Sequence, residues 1–173
     1  DAAGIYYFSK PLYQSGSVAF LYPGEGAQYL SMLGDLCPHF PEVEAAFVFA
    51  DQSFANHDPD AMPISEFVHF SKDADPEEVA AAQAELGRLD STMVSVLFAD
   101  WAISRILENL GIKPDVIAGH SAGELAALGS AKSIDVENQA VNVVGMMQAL
   151  RNPDVAADRK YELLAIGASR EVV

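Results

Sequence analysis

The residues Gly119-His120-Ser121-Ala122-Gly123 place a small hydroxyl between two glycines, directly after the short apolar run Asp115-Val116-Ile117-Ala118. This is the G-x-S-x-G pattern of a nucleophile elbow, and it stands where that pattern requires: a strand before it, "DVIAG", and a helix after it, "AGELAALGSA". A tight strand-to-helix turn forces the serine into strained backbone angles, and small residues two before and two after it let strand and helix approach closely. The hydroxyl of Ser121 then projects at the carboxyl edge of a sheet. There the amino end of the following helix offers unpaired N–H groups and a positive dipole, suited to an oxyanion or an ester carbonyl. The chemistry expected is that of a serine nucleophile that carries an acyl group.

A second glycine turn, Gly24-Glu25-Gly26-Ala27-Gln28, also follows an apolar run, "SVAFLYPG". In an open parallel sheet neighbouring strand ends converge on one crevice, so the backbone N–H near Glu25 is a candidate second oxyanion donor. The spacing is not G-x-G-x-x-G and no lysine occupies a Walker-type position, which excludes a nucleotide loop. His120 adjoins Ser121, but adjacent residues on a sharp elbow point apart, so it is assigned to positioning and packing instead of proton transfer. His39, His57 and His69 precede the elbow without any motif and read as surface or loop histidines.

These turns need elements to hold them. "SVAFLYPG" reads as a buried strand closed by Pro23-Gly24, and "AQYLSMLGDLC", with Leu30, Leu33, Leu36 and Cys37 on one face, predicts a helix ended by Pro38. "PEVEAAFVFADQSF" predicts a second helix with Pro41 near its start, and Ala55 to Asp75 reads mostly as loop. From Pro76, "PEEVAAAQAELGRL" predicts an exposed helix with acids in its first turn, interrupted at Gly87. "DSTMVSVLFADWAISRILENLG" is apolar on nearly every face and predicts a central buried helix, capped by Asp90 or Ser91 and ended by Gly111. "DVIAG" has the composition of a strand buried on both sides. After the elbow helix, Asp135 is expected to cap another helix, followed by a strand at Leu163 to Ile166 and a helix start at Ser169. Strand, helix and strand alternate, which points to an α/β fold: a three-layer α/β/α arrangement around a parallel sheet.

Composition sets the limits. The chain has 173 residues, half of them hydrophobic, enough for one domain with a packed core. Twenty-five acidic against 10 basic side chains give a net charge of -15, which argues against nucleic acid and anionic membranes as partners. One cysteine, Cys37, allows neither an internal disulfide nor a cysteine-based metal site, and no metal is expected. There is no apolar segment of membrane-spanning length and no signal peptide at the start, so a cytoplasmic location is expected. The absent initiator methionine and an ending inside an element suggest a piece of a longer polypeptide.

With both motifs in view, "FLYPGEGAQYLSML" resembles the GQGxQ opening of the malonyl/acyl-carrier-protein transacylase family, and "GIKPDVIAGHSAGELAAL" resembles its GHSxGE centre. "ELLAIGAS" is similar to the start of that family's small ferredoxin-like subdomain. The division implied is a linker from a preceding domain over 1–17, an incomplete large α/β-hydrolase-like subdomain over 18–160, and the beginning of the small subdomain over 161–173. The variant "PGEGAQY" resembles acyltransferase domains of type I iterative synthases, of the enediyne-polyketide or polyunsaturated-fatty-acid kind.

The resemblance implies a ping-pong reaction in which serine takes a malonyl or acetyl group from coenzyme A and passes it to the phosphopantetheine thiol of an acyl carrier protein. It implies Ser121 as nucleophile, the backbone N–H groups of Glu25 and Ala122 as oxyanion hole, and Gln28, His120, Gly24 and Gly26 around the substrate pocket. No permanently bound cofactor is implied; the partners implied are the carrier protein and a ketosynthase in the same polypeptide. Two departures stand out. The family's catalytic histidine lies downstream of position 173, so these residues alone are expected to be nearly inactive. Its carboxylate-binding arginine, about 25 residues after the serine, finds Met146 or Val144 here, with Arg151 the nearest cation. This leaves the acyl unit open between malonyl and an uncharged group such as acetyl. Arg151, Arg159 and Lys160 form the one basic grouping that an acidic carrier protein could meet. The alternatives are an esterase or thioesterase of the α/β-hydrolase type, and a degenerate, docking-only module.

Overall fold

Strands β1 (Ala19–Tyr22) and β2 (Val116–Gly119) lie side by side and parallel, Ala19 opposite Val116 and Tyr22 opposite Gly119. The computed structural model describes residues 16–55 and 62–136, together with Ser9. Parallel neighbours need a crossover between them, and here it carries four helices: α1 (Pro41–Ala55), α2 (Ile64–Val68), α3 (Pro76–Leu86) and α4 (Leu89–Asn109). Helix α5 (Gly123–Ser130) follows β2 and packs on both strands and on α4. The fold is thus mixed α/β with a parallel sheet, as the alternation of elements requires.

The core lies between α1 and α4, where Val43, Ala46, Phe47, Val94 and Phe98 are fully enclosed. Phe98 meets the rings of Phe49 and Trp101 edge-on, at 5.9 and 6.1 Å between centroids, the geometry that aromatic quadrupoles favour. The Tyr22 hydroxyl shares a hydrogen bond of 2.7 Å with Ser104 Oγ, fastening the end of β1 to α4. The ends of the helices follow their chemistry. Asp75 accepts from the backbone N–H groups of Glu77 and Glu78 while the Glu78 side chain accepts from the Asp75 N–H, a complete capping box with Pro76 at the first helical position. At the other end of α4, Gly111 takes φ +77°, and the N–H groups of Gly111 and Ile112 donate to the carbonyls of Glu108 and Leu107, the Schellman pattern.

Four expectations need correction. Residues 29–39 form a series of turns and no helix, because Ser31 and Leu33 sit at φ 63° and the Ser31 N–H and hydroxyl reach across to the carbonyls of Phe67 and Phe70. Those long-range bonds satisfy donors that a helix would have turned inward. The span read as loop contains α2, whose Ile64, Phe67 and Val68 are buried in the core. Helix α4 begins at Leu89, so Asp90 and Ser91 lie buried inside its first turn, Asp90 beside the Arg88 guanidinium at 3.7 Å, and neither caps it. The strands are also one-sided among the described residues: Phe20, Tyr22, Ile117 and Gly119 turn inward, whereas Ala19, Leu21, Val116 and Ala118 form an exposed apolar row. Residues 163–169 lie outside the described residues, as does the helix expected after Asp135 beyond its first residue, Val136.

Two stability outcomes follow. Asp75→Ala removes the acceptor of the capping box and should lower the unfolding free energy by about 1 kcal/mol, read from urea unfolding. Asp100, on α4, has a carboxylate oxygen buried without a hydrogen-bond partner, and burial pushes its pKa up to about 7. The folded protein therefore holds a proton that the unfolded chain releases near pH 4, so this group's contribution falls as pH rises from about 4 to about 7. Asp100→Asn should be more stable than the parent at pH 8, and the advantage should shrink towards pH 5 in the same assay.

Candidate active site

Ser121 stands between β2 and α5 at φ 55°, the left-handed region that costs a non-glycine residue strain and marks an elbow. The turn is held by its own backbone: Gly123 and Glu124 donate to the carbonyls of His120 and Ser121, and His120 donates back to the Tyr22 carbonyl at 3.0 Å. That last bond extends the pairing of β1 and β2 by one step into the elbow. Ser121 itself is exposed, and Ala122, at the mouth of α5, is buried.

The Gly24 turn packs directly on this elbow. A Cβ added to Gly24 would lie 2.6 Å from the His120 carbonyl oxygen and 2.8 Å from the Ser121 Cβ, and one added to Gly123 would collide with the carbonyls of Tyr22 and Pro23. Both positions therefore demand glycine for close approach of two chain segments about a hundred residues apart. Gln28 closes the turn from behind. Its Oε1 accepts from the Gly26 N–H at 2.8 Å, with Gly26 at φ 102°, and its amide donates to Thr92 Oγ1 at 3.3 Å. Thr92 in turn donates to the Leu86 carbonyl at 2.6 Å, so the turn is referenced to the start of α4.

Across this contact the Ser121 hydroxyl donates to the Glu25 carboxylate. The Ser121 hydrogen bond foremost, then the backbone N–H of Glu25 itself, the charge of His120 and the Ala122 N–H hold that carboxyl below the usual range, against a smaller opposing effect of desolvation. The serine hydroxyl is thus trained on one anionic group where the two glycine turns meet. Gly24 and Glu25 of one turn thereby adjoin Ser121 and Ala122 of the other, the placement that a pair of backbone oxyanion donors requires.

The structure brings Ser121, Glu25, Ala122, Gly24, Gly26 and Gln28, the residues singled out from the two motifs, to one place. His120 is exposed, and its backbone holds the elbow by donating to Tyr22 and accepting from Gly123. Of the other histidines, His39 is exposed, His69 pairs with Glu44 at 3.0 Å, and His57 lies outside the described residues, as do Val144, Met146, Arg151, Arg159 and Lys160. Two participants escaped the sequence: Thr92, which no motif marks, and the side chain of Glu25, of which only the backbone was considered.

One further cluster involves Cys37. Its Sγ, the Glu44 carboxylate and the His69 ring offer three metal-capable atoms within 4.8 Å of one another, because the turns of residues 29–39 fold Cys37 back onto α1 beside the end of α2. Burial and the Glu44 carboxylate push the Cys37 thiol up, favouring its protonated form.

Comparison with known proteins settles the lineage. Residues 19–163 match the family model described as the acyl transferase domain. The chain belongs to that acyl transferase family. It is 30% identical over 140 residues to polyketide synthase GfsE of Streptomyces halstedii, and 27% identical over 135 residues to one subunit of a polyunsaturated fatty acid synthase from Thraustochytrium. These matches take in 80% and 76% of the chain but 3% and 5% of the relatives, so the chain spans a small part of either synthase. Among solved structures, malonyl CoA-acyl carrier protein transacylase from Coxiella burnetii is similar at TM-score 0.61 and 35% identity, over 79% of this chain and 38% of that one. A type II polyketide acyl-carrier protein in complex with its malonyl-transacylase gives TM-score 0.59 and 33% identity, over 76% and 37%. The acyl transferase fold is thereby established for the described residues, and among these no helix is long and apolar enough to cross a membrane.

Gly24→Ala tests the contact between the two turns. The added methyl must push the elbow away, and a displacement of order 1 Å costs on the order of a hundredfold in reactivity. The full-length protein should keep its far-ultraviolet circular dichroism while labelling of Ser121 by a fluorophosphonate probe falls by that factor.

Proposed function

We propose that the parent protein transfers an acyl group from coenzyme A to the phosphopantetheine thiol of an acyl carrier protein, with Ser121 as the nucleophile. The observation that carries this reading is the close packing of the Gly24–Glu25 turn on the Ser121–Ala122 elbow, with the Ser121 hydroxyl exposed and in contact with Glu25. In the first half-reaction Ser121 Oγ attacks the thioester carbonyl carbon and gives its proton to a base. The carbonyl oxygen, now anionic, is received by the backbone N–H groups of Glu25 and Ala122. Collapse breaks the C–S bond, the coenzyme A thiolate leaves with the proton, and Ser121 carries an ester. The carrier thiol then repeats the sequence in reverse.

The base is proposed to be a histidine supplied from beyond residue 173, the position that the family resemblance implies. His39 and His69 are poor substitutes, the one on the surface and the other tied to Glu44. Gln28 serves by fixing the Gly26 turn, and so the Glu25 N–H, relative to α4. Relatives and neighbours support the setting: polyketide and polyunsaturated fatty acid synthases by sequence, and a carrier protein bound to its transacylase by structure. We accordingly assign residues 18–160 to the large subdomain of an acyltransferase and 161–173 to the start of its small one, in a cytoplasmic polypeptide that also carries a ketosynthase. No resident cofactor enters the reaction; the pantetheine arms belong to the substrates.

Intact-mass measurement of the full-length protein after incubation with acyl-coenzyme A species tests the proposal. A covalent adduct is expected with the parent and none with Ser121→Ala, and the adduct should clear when holo carrier protein is added. Adduct loss as free acid at a rate indifferent to carrier protein would point to an esterase, and no adduct with any donor to a docking module.

A further inference from the structure

The Glu25 side chain has no place in that reaction, yet it is in direct contact with the reacting hydroxyl. Its position invites three readings. As a proton acceptor it is poorly suited, because the same contacts that hold it in place hold its carboxyl below the usual range and weaken it as a base. As an obstruction it is temporary, because the residue is exposed and its side chain is free to turn outward as a carbonyl oxygen enters. What cannot be removed is its charge. The backbone N–H of Glu25 is itself one of the proposed oxyanion donors, so the Cα stays beside the substrate carbonyl and the carboxylate stays within one side chain's reach of the acyl group. Among the described residues no lysine or arginine pairs with it; the cationic partners go elsewhere, Arg88 to Glu85 and Asp90, Lys72 to Asp35, Arg105 to Glu108. The chain as a whole, at net charge -15, adds to the same field.

We propose that the Glu25 carboxylate is a charge filter at the nucleophile, which selects acyl donors without a free carboxylate over donors such as malonyl that carry one. The inference rests on the acyl-transfer reading and names its substrate class. A malonyl ester on Ser121 would set its own carboxylate two bonds from the ester carbon and a few ångströms from Glu25, two like charges with no lysine or arginine between them among the described residues. An acetyl ester meets no such repulsion. The discrimination is therefore written against the wrong donor instead of for the right one.

The experiment is a competition. The full-length protein and its Glu25→Gln variant are offered equimolar acetyl- and malonyl-coenzyme A, and the two Ser121 adducts are counted by intact mass at early times. Glutamine keeps the shape and an acceptor for the Ser121 hydroxyl and removes only the charge. The parent should favour acetyl, and Glu25→Gln should raise the malonyl-to-acetyl ratio about tenfold, the order expected for one screened like-charge contact. A second measurement needs no variant: raising potassium chloride should move the parent's ratio towards malonyl and leave the variant's nearly still. Adducts in an unchanged ratio, whether both rise or both fall, overturn the filter while leaving acyl transfer intact; a uniform fall would mark Glu25 as the proton acceptor. No adduct with either donor sinks the acyl-transfer reading and the filter with it.

Discussion

The structure turns on a close approach between two backbones. The turn after β1 and the elbow after β2 come together so tightly that neither Gly24 nor Gly123 could carry a side chain, and the serine between them is pressed into a left-handed conformation. Everything chemical about the site follows from that contact. Parallel pairing brings both strand ends to one edge, the bond from His120 to Tyr22 carries the pairing into the elbow, and two separate turns thereby meet at one point. The strain at Ser121 is sustained because the surrounding bonds over-determine it.

The helices exist, for this purpose, as a frame. Tyr22 is pinned to Ser104 of α4, and Gln28 is pinned through Thr92 to the start of the same helix, so one long buried element references both ends of the first turn. Helix α5 brings its amino end to the serine and packs its small residues, Gly123, Ala126 and Ala127, against strands and α4. Placing reactive groups on turns held by rigid elements is a general solution, since loops present them while the scaffold limits their drift. The acidity of the site adds a constraint of another kind. A carboxylate beside the proposed nucleophile is an odd choice for handling anionic substrates, and it makes electrostatics, besides shape, a determinant of what can react there.

Much of this was legible from residue order. The elbow, its strand and its helix could be read from Val116 to Ser130, since glycine, serine and β-branched residues at those spacings have few other uses. Helices α1, α3 and α4 showed in their composition and apolar period and in local signals such as Pro41, the acids after Pro76 and Gly111. Family membership was equally visible, because the two motifs that suggested it lie within the matched span 19–163. The failures were of one type. Residues 27–37 carry a helical period, yet from residue 30 on they form turns, because Ser31 finds its partners at Phe67 and Phe70. The start of α4 slipped past Asp90, whose burial beside Arg88 no local pattern announces.

What the sequence by itself determined, then, was the serine elbow, the two glycine turns and the α/β class, all set by preferences that act over a few residues. Tertiary structure alone decided that the Glu25 carboxylate lies on Ser121, that Gln28 answers to Thr92, and that Cys37 meets Glu44 and His69. Each of these joins positions distant in the chain. Their pairing depends on which strand lies beside which and how the crossover packs, and backbone propensity carries no information about that.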